Sequence, residues 1–338
     1  MGSELGGAFA VAREVFQEID EALKQNLSKL MFEGPENEII LTENAQPALM
    51  AVSLAAMRVM EKEGGLDLKR HAAFVAGHSL GEYSALAAAH ALSIPDAARL
   101  LKRRGRAMQR AVPVGEGAMA AILGMELDAA RLLAVEAAEN EVLAAANDNG
   151  AGQVVVSGHK AAVERAVAQA PAKGAKRAIM LPVSAPFHCP LMEPAAAEMA
   201  EALADVQMRE PVVPLVANVV ASAVRDPAEI KKLLVEQVTG LVRWREWIGP
   251  NSSERLTMHV LNMSGADGAL PEAEFLRAVG RPPDVTIPYS RDVAISSNLG
   301  VRATQKCAVL NRGVDKLLRE LAGEAAAAPQ SFLSRIFG

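Results

Sequence analysis

Cysteine is almost missing: the 338 residues hold two, Cys189 and Cys307. Two thiols cannot build the disulfide framework of a small secreted domain, and they fit a reducing compartment. Aromatic residues are scarce at 4%, while apolar residues make up 51%, so alanine and valine carry the core. That suits tightly packed α/β layers better than an all-β sandwich. No apolar run approaches the ~20 residues that span a bilayer, and the alanine-rich stretch after Ser84 is interrupted by His90. The start, MGSELGG, lacks the charged-then-apolar pattern of a signal peptide. A cytoplasmic protein without a membrane segment is expected. A net charge of −5 leaves no global footprint for nucleic acid. Histidines and cysteines show no paired-ligand spacing, so no metal site is expected.

What is present is organised in blocks. Residues 8–31 and 44–63 carry apolar residues at three- and four-residue spacing and read as helices ending near Gly34 and Gly64-Gly65. AAFVA (72–76) reads as a short buried strand, and a helix follows from Leu80 to about Leu92. Pro95 opens another helix through Arg110, carrying Arg99, Lys102, Arg103, Arg104, Arg106 and Arg110. The bland reading of that basic run is a solvated helix face. From 117 to 184 the order is βαββαβ, that of a ferredoxin-like module: GAMAAILG, a helix at 128–140, VLAAAND, GQVVVSG, a helix at 160–170 and AKRAIMLPVS. The expected fold class is α/β, a parallel-sheet body resembling an α/β hydrolase with this inserted module and a divergent α/β tail. The body takes residues 1–113 and 185–250, the module 114–184, the tail 251–323, and a linker with a C-terminal segment 324–338.

Gly77-His78-Ser79-Leu80-Gly81 is a G-x-S-x-G run between a predicted strand and a predicted helix, the context a nucleophile elbow requires. A sharp turn there exposes the Ser79 hydroxyl, and the helix N-terminus offers N–H groups to a developing oxyanion. Glycine–serine turns are common, so the pentapeptide alone is weak evidence. A serine needs a base, and the candidates are His71, His78, His90, His159, His188 and His259. His78 lies inside the elbow and should point away from the hydroxyl; His90, late in the helix, suits a core or surface role. His188 sits in Ser184-Ala185-Pro186-Phe187-His188-Cys189-Pro190, where two prolines stiffen the loop. From residues alone it is either the base or a structural loop histidine.

GHSLGEYSALAAA, RLLKRRGRAMQRAVPVGEGAMAAILG, NDNGAGQVVVSGHKAAVERA, GAKRAIMLPVSAPFHCPLM and LVEQVTGLVRW closely resemble the bacterial malonyl-CoA:acyl-carrier-protein transacylases, over residues 1–248. The resemblance implies an acyltransferase fold in which Ser79 is acylated and His188 is its base. It implies that Arg104 grips the malonyl carboxylate, in keeping with a guanidinium's bidentate fork. It also implies that the Gln237 carbonyl orients His188, so that no acid partner is needed, and that the Leu80 N–H is an oxyanion donor. Met108, Phe187 and Asn149 are implied at the substrate site, Phe187 in the pattern associated with malonyl rather than methylmalonyl units. Malonyl-CoA and acyl carrier protein are the implied partners of a monomer with no cofactor.

Two departures stand out. The family begins with a strand and a Gly-Gln-Gly-Ser-Gln turn whose first glutamine gives a second oxyanion donor. This chain begins just after that point, which implies impaired transfer. Beyond Trp247, the family's glycine-rich turn has no counterpart in Asn251–Gly338. The tail reads strand (RLTMHVLNM), helix (Pro271–Val279), strand (DVTIPYS). In LPEAEFLRAVGRPPDVTIPYS and its SNLG turn it resembles the C-terminal part of ParA/MinD-type ATPases, especially their pilus-assembly branch. No P-loop accompanies it, so nucleotide hydrolysis is not expected. Two other readings stand beside the transferase: a serine hydrolase or thioesterase, and a catalytically dead module binding acyl carrier protein or a pilus partner.

Overall fold

The computed structural model describes residues 1–150, 152–183 and 185–248, and beyond them only 260–264, 272–273, 276, 282–283, 285–288 and 312. The chain opens with helices α1 (Ser3–Ala8), α2 (Ala10–Leu23), α3 (Leu27–Glu33), α4 (Glu36–Ile39), α5 (Thr42–Lys62) and α6 (Leu68–His71). The single helix expected over 8–31 is therefore two. Lys24 closes α2 in the left-handed region at φ 49°, and Asn26 caps α3 by accepting the Lys29 N–H at 3.2 Å. Such a cap satisfies an orphan donor and stabilises by about 1 kcal/mol, enough to favour a break where the periodicity alone runs on.

Strand β1 (Val75–Ala76) leads into α7 (Gly81–Ala88) and α8 (Ile94–Ala111). The buried five-residue strand expected at 72–76 shrinks to these two residues, with Ala73 and Ala76 exposed. The helix expected to reach Leu92 stops at Ala88, and His90 lies exposed at φ 60°. Helix α8 starts on Ser93, whose hydroxyl accepts the Asp96 N–H at 3.1 Å, with Pro95 in its first turn. Its inner stripe (Ala97, Leu101, Met108) packs with α2, α5 and a later helix in the largest apolar cluster. Gly105 is required there, because a Cβ would sit 2.5 Å from Glu43 Cα and 2.6 Å from the Thr42 carbonyl oxygen. The close crossing of α5 and α8 depends on it.

Next come β2 (Gly117–Leu123), α9 (Leu127–Ala138), β3 (Leu143–Gly150), β4 (Gln153–His159), α10 (Lys160–Gln169) and β5 (Arg177–Met180). They form one antiparallel sheet of order β3-β4-β2-β5. One face carries Ala118, Ala120, Ile122, Val154 and Val156 against α9 and α10. The other, with Met119, Ala121 and Val155, packs on Leu181 and Phe187. The last expected strand of this unit, 175–184, is confined to four residues.

The chain then runs through α11 (Glu193–Ala204), β6 (Leu215–Ala217), β7 (Ser222–Val224), α12 (Pro227–Thr239) and α13 (Trp244–Ile248). The body is α/β, but its sheet is small and mixed rather than wholly parallel. Strand β1 pairs parallel to β6 through Val75 with Leu215 and Ala76 with Val216, and β7 adds antiparallel. Among the described residues β6 is the only partner of β1. In the tail, β8 (Val260–Ser264) and β9 (Val285–Pro288) pair in parallel, and Glu272, Ala273 and Leu276 between them are helical. The other tail residues, with Cys307, His259, the SNLG turn and the linker, lie outside the described residues. Among the described residues no helix is long and apolar enough to cross a membrane, and no group of three His, Cys, Asp or Glu could hold a metal ion.

Candidate active site

Ser79 stands where β1 gives way to α7, at φ 53°. A non-glycine residue there is strained, and the turn is tight because Gly77 has no side chain: a Cβ would lie 2.0 Å from the Gly81 carbonyl carbon and oxygen. Gly81 is different, with open space around a built Cβ. The N–H groups of Gly81, Glu82 and Tyr83 return to the carbonyls of His78, Ser79 and Leu80, while the Leu80 N–H has no acceptor among the described residues.

His188 is brought to Ser79 by the loop ahead of α11, and it too has a left-handed backbone, φ 57°. The loop is pinned by Cys189 Sγ on the Pro186 carbonyl at 3.1 Å, and Pro186 fills the space over Gly117. Ser79 Oγ and His188 Nε2 are 2.8 Å apart, and His188 Nδ1 lies 2.8 Å from the Gln237 carbonyl oxygen of α12. That carbonyl makes Nδ1 the protonated nitrogen and leaves Nε2 free to accept. Burial, then the charge of Arg104, lowers the imidazole pKa to about 3. The imidazole is therefore uncharged near neutral pH.

Arg104 is 1% exposed, alone among the basic residues of α8. Its guanidinium donates to Gln46 Oε1 at 2.8 Å, to Gln237 Oε1 at 2.8 Å and to Ser79 Oγ at 3.1 Å, with Nε buried and without a partner among the described residues. The Tyr83 ring lies 5.9 Å below it, a cation–π arrangement. Its basic neighbours are neutralised on the surface: Arg99 by Asp96, Lys102 and Arg106 by Glu43, Arg103 and Arg110 by Glu198.

The other anticipated residues are less uniform. Asn149, at the end of β3, meets His78 Nε2 at 3.1 Å through Oδ1. Phe187 is half-buried and touches both the body cluster and the outer face of the four-stranded sheet. Met108 is fully buried, its sulfur 3.7 Å from Gln46 Nε2, so it supports that glutamine rather than facing open space.

Three residues went unread in the sequence: Gln46, Glu82 and Asn218. The Glu82 carboxyl is 1% exposed, and burial pushes its pKa up to about 8 against hydrogen bonds from the Asn218 N–H and the Gln237 amide. Asn218 interrupts the apolar run VVPLVANVV, and a lone amide in such a run was the available signal. Glu82 gave none, since an acid in a helix's first turn is ordinarily a solvated complement to the dipole.

An elbow serine touching a neutral imidazole and a buried guanidinium is the equipment of a serine acyltransferase whose acyl group carries an anion. Comparison with known proteins narrows the class. Residues 1–247 match the family model described as acyl transferase domain. The malonyl CoA-acyl carrier protein transacylase of Bacillus subtilis is 44% identical over 261 residues, 77% of this chain and 81% of that protein. Its counterpart in Escherichia coli K12 is 44% identical over 244 residues, 72% of this chain and 78% of that protein. A solved acyl-carrier-protein-S-malonyltransferase from Bartonella henselae aligns with TM-score 0.76 and 47% identity, covering 89% of this chain and 95% of that one. A malonyl-transacylase solved in complex with its type II PKS acyl-carrier protein aligns with TM-score 0.73 and 39% identity over 78% of this chain and 83% of that one. The chain belongs to the acyl transferase domain family and, within it, to the malonyl-CoA–acyl carrier protein transacylases.

Proposed function

We propose that Ser79, His188, Arg104, Gln237 and Leu80 carry the reaction by which this chain moves a malonyl group from malonyl-CoA to the phosphopantetheine thiol of acyl carrier protein, in fatty-acid synthesis. The observation that carries the assignment is the Ser79 hydroxyl shared between His188 Nε2 at 2.8 Å and the Arg104 guanidinium at 3.1 Å.

Malonyl-CoA enters with its carboxylate on Arg104, which stays charged where a lysine would give up its proton. Ser79 Oγ attacks the thioester carbonyl while its proton passes to His188 Nε2. The Gln237 carbonyl steadies the imidazolium, as a carboxylate does in a protease triad, and the Leu80 N–H faces the oxyanion. The carbon–sulfur bond breaks, coenzyme A leaves with the proton from His188, and a malonyl-serine ester remains. The phosphopantetheine thiol then gives its proton to His188 and attacks the ester, and Ser79 leaves with that proton. Atoms and protons balance without a cofactor. Phe187, half-buried beside His188, is proposed to limit the acyl group, with Asn149 near the entrance. We place the reaction in the cytoplasm. The parallel pairing of β8 with β9 is in keeping with the proposed likeness of the tail to ParA/MinD-type ATPases.

Intact-protein mass spectrometry after mixing with malonyl-CoA tests the assignment. A malonyl adduct is expected on the unsubstituted chain and none on Ser79→Ala, which keeps a cooperative melt. An adduct persisting in Ser79→Ala refutes it. Free malonate released faster than malonyl-acyl carrier protein forms would favour a hydrolase.

A further inference from the structure

The strained Ser79 backbone is held on both sides by side-chain amides. Its N–H donates to Asn218 Oδ1 at 2.7 Å, and its carbonyl accepts from Gln237 Nε2 at 2.9 Å. Asn218 Nδ2 in turn donates to the Gly77 carbonyl at 2.8 Å. One amide thus spans the acceptor before and the donor at the residue with positive φ. The position is telling. Strands β1 and β6 pair in parallel up to Ala76 with Val216. Beyond it the elbow turns away and the backbones no longer match. Asn218 directly follows β6, and its side chain supplies the donor and acceptor that a further backbone rung would have given.

The amide is itself anchored. The Asn218 N–H donates to Glu82 Oε1 at 2.6 Å, and the Gln237 amide donates to the other carboxyl oxygen of the same residue. Both arms therefore end on one buried acid in the first turn of α7. Asn218 is 4% exposed and Glu82 1%, so water does not compete for these bonds. Because the Ser79 N–H is spent on Asn218, the oxyanion must rely on the next N–H, that of Leu80. The clamp thus sets where the hydroxyl points and which amide faces the substrate.

We propose that Asn218, anchored by Glu82, is a positioning residue for acyl transfer: its amide holds Ser79 in the left-handed conformation that keeps Oγ between His188 and Arg104. This rests on Ser79 being the acylated residue. A misplacement of about 1 Å costs roughly 10²-fold in rate. Asn218 touches neither the acyl carboxylate nor the imidazole, so its loss should fall on turnover.

The test is rapid-quench mass spectrometry of malonyl-serine formation at varied malonyl-CoA, with thermal melts, on the unsubstituted chain, Asn218→Ala and Asn218→Asp. The aspartate keeps an acceptor for the Ser79 N–H but sets an oxygen against the Gly77 carbonyl. Both variants are expected to melt cooperatively and to form the adduct about 10²-fold more slowly. Half-saturation and the acid limb of the pH profile should be unmoved. Variants that fold and acylate at the parent rate overturn the clamp alone. So does a fall in rate fully accounted for by unfolded protein, or a failure of both variants to fold, since each assigns Asn218 to the fold. A parent chain malonylated elsewhere than Ser79 overturns the clamp together with the site assignment.

Discussion

A base must be neutral to accept a proton, so with His188 as the proposed base its environment sets the acid limit of catalysis. Its pKa falls from 6.5 to about 3, first by burial and then by the charge of Arg104. The free imidazole stays neutral as pH falls through 6 and 5 and charges only near 3. The acid limb of kcat/KM, which reports the free enzyme, should therefore lie well below 6.5. Malonyl-pantetheine, with no titrating phosphate, is the substrate to measure it with, and a wild-type limb near 6.5 would contradict this environment. Replacing Arg104 with alanine removes the second cause, so the limb should move upward. The same variant should lose about 3–5 kcal/mol of transition-state binding for malonyl, the cost of leaving a buried carboxylate unpaired. Acetyl transfer, which presents no carboxylate, should be unchanged or better. Equal losses for both acyl groups would make Arg104 structural only.

At the scale of elements, the elbow depends on a two-residue strand and one glycine. Gly77→Ala places a Cβ 2.0 Å from the Gly81 carbonyl carbon and oxygen, where backbone must move. Overpacking of that kind costs about 1–3 kcal/mol, and the shift falls on Ser79. Gly81→Ala meets open space inside α7 and should be neutral or slightly stabilising, since alanine is the better helix former. Denaturant melts and adduct formation on both variants check the contrast, and similar behaviour would mean the turn is not set by Gly77. The motif was legible because an elbow is local: strand, glycine, serine and helix lie within a dozen residues. Arg104 was hidden in a run read as a solvated face, although its register puts it on the stripe of Ala97, Leu101 and Met108. The clamp was not legible. Asn218 and Gln237 reach Ser79 across 139 and 158 residues, and only the packing of β6 and α12 beside the elbow brings them there. The break at Lys24 was missed because hydrophobic periodicity continues across it.

Across the whole molecule, one stretch links the two sheets. The Gln237 carbonyl lies 2.8 Å from His188 Nδ1, and five residues on, Val242 bridges in parallel to Asn147 of β3, exchanging backbone bonds with Ala146 and Asp148 at 2.9 Å. Arg245 then closes on Asp148 at 2.8 Å. His78 of the elbow reaches the same edge through Asn149 and packs edge-on against Trp244 at 5.4 Å. The four-stranded sheet is thus tied to the Ser79 elbow by its β3 edge, and the ion pair carries an asymmetric risk. Asp148 is 2% exposed and Arg245 is 39% exposed, so the arginine is screened while the carboxylate is not. Removing Arg245 strands a buried charge, a loss of about 3–5 kcal/mol for a fully buried pair. With one partner at the surface about 1–2 kcal/mol is the better expectation. Arg245→Ala should therefore lower stability by that amount and speed amide exchange at Asp148 and Val242. Exchange in the β2–β4 ladder should stay unchanged, because those rungs lie inside the sheet. Unaltered exchange at Asp148 and Val242 would mean that the backbone bridge alone holds the seam.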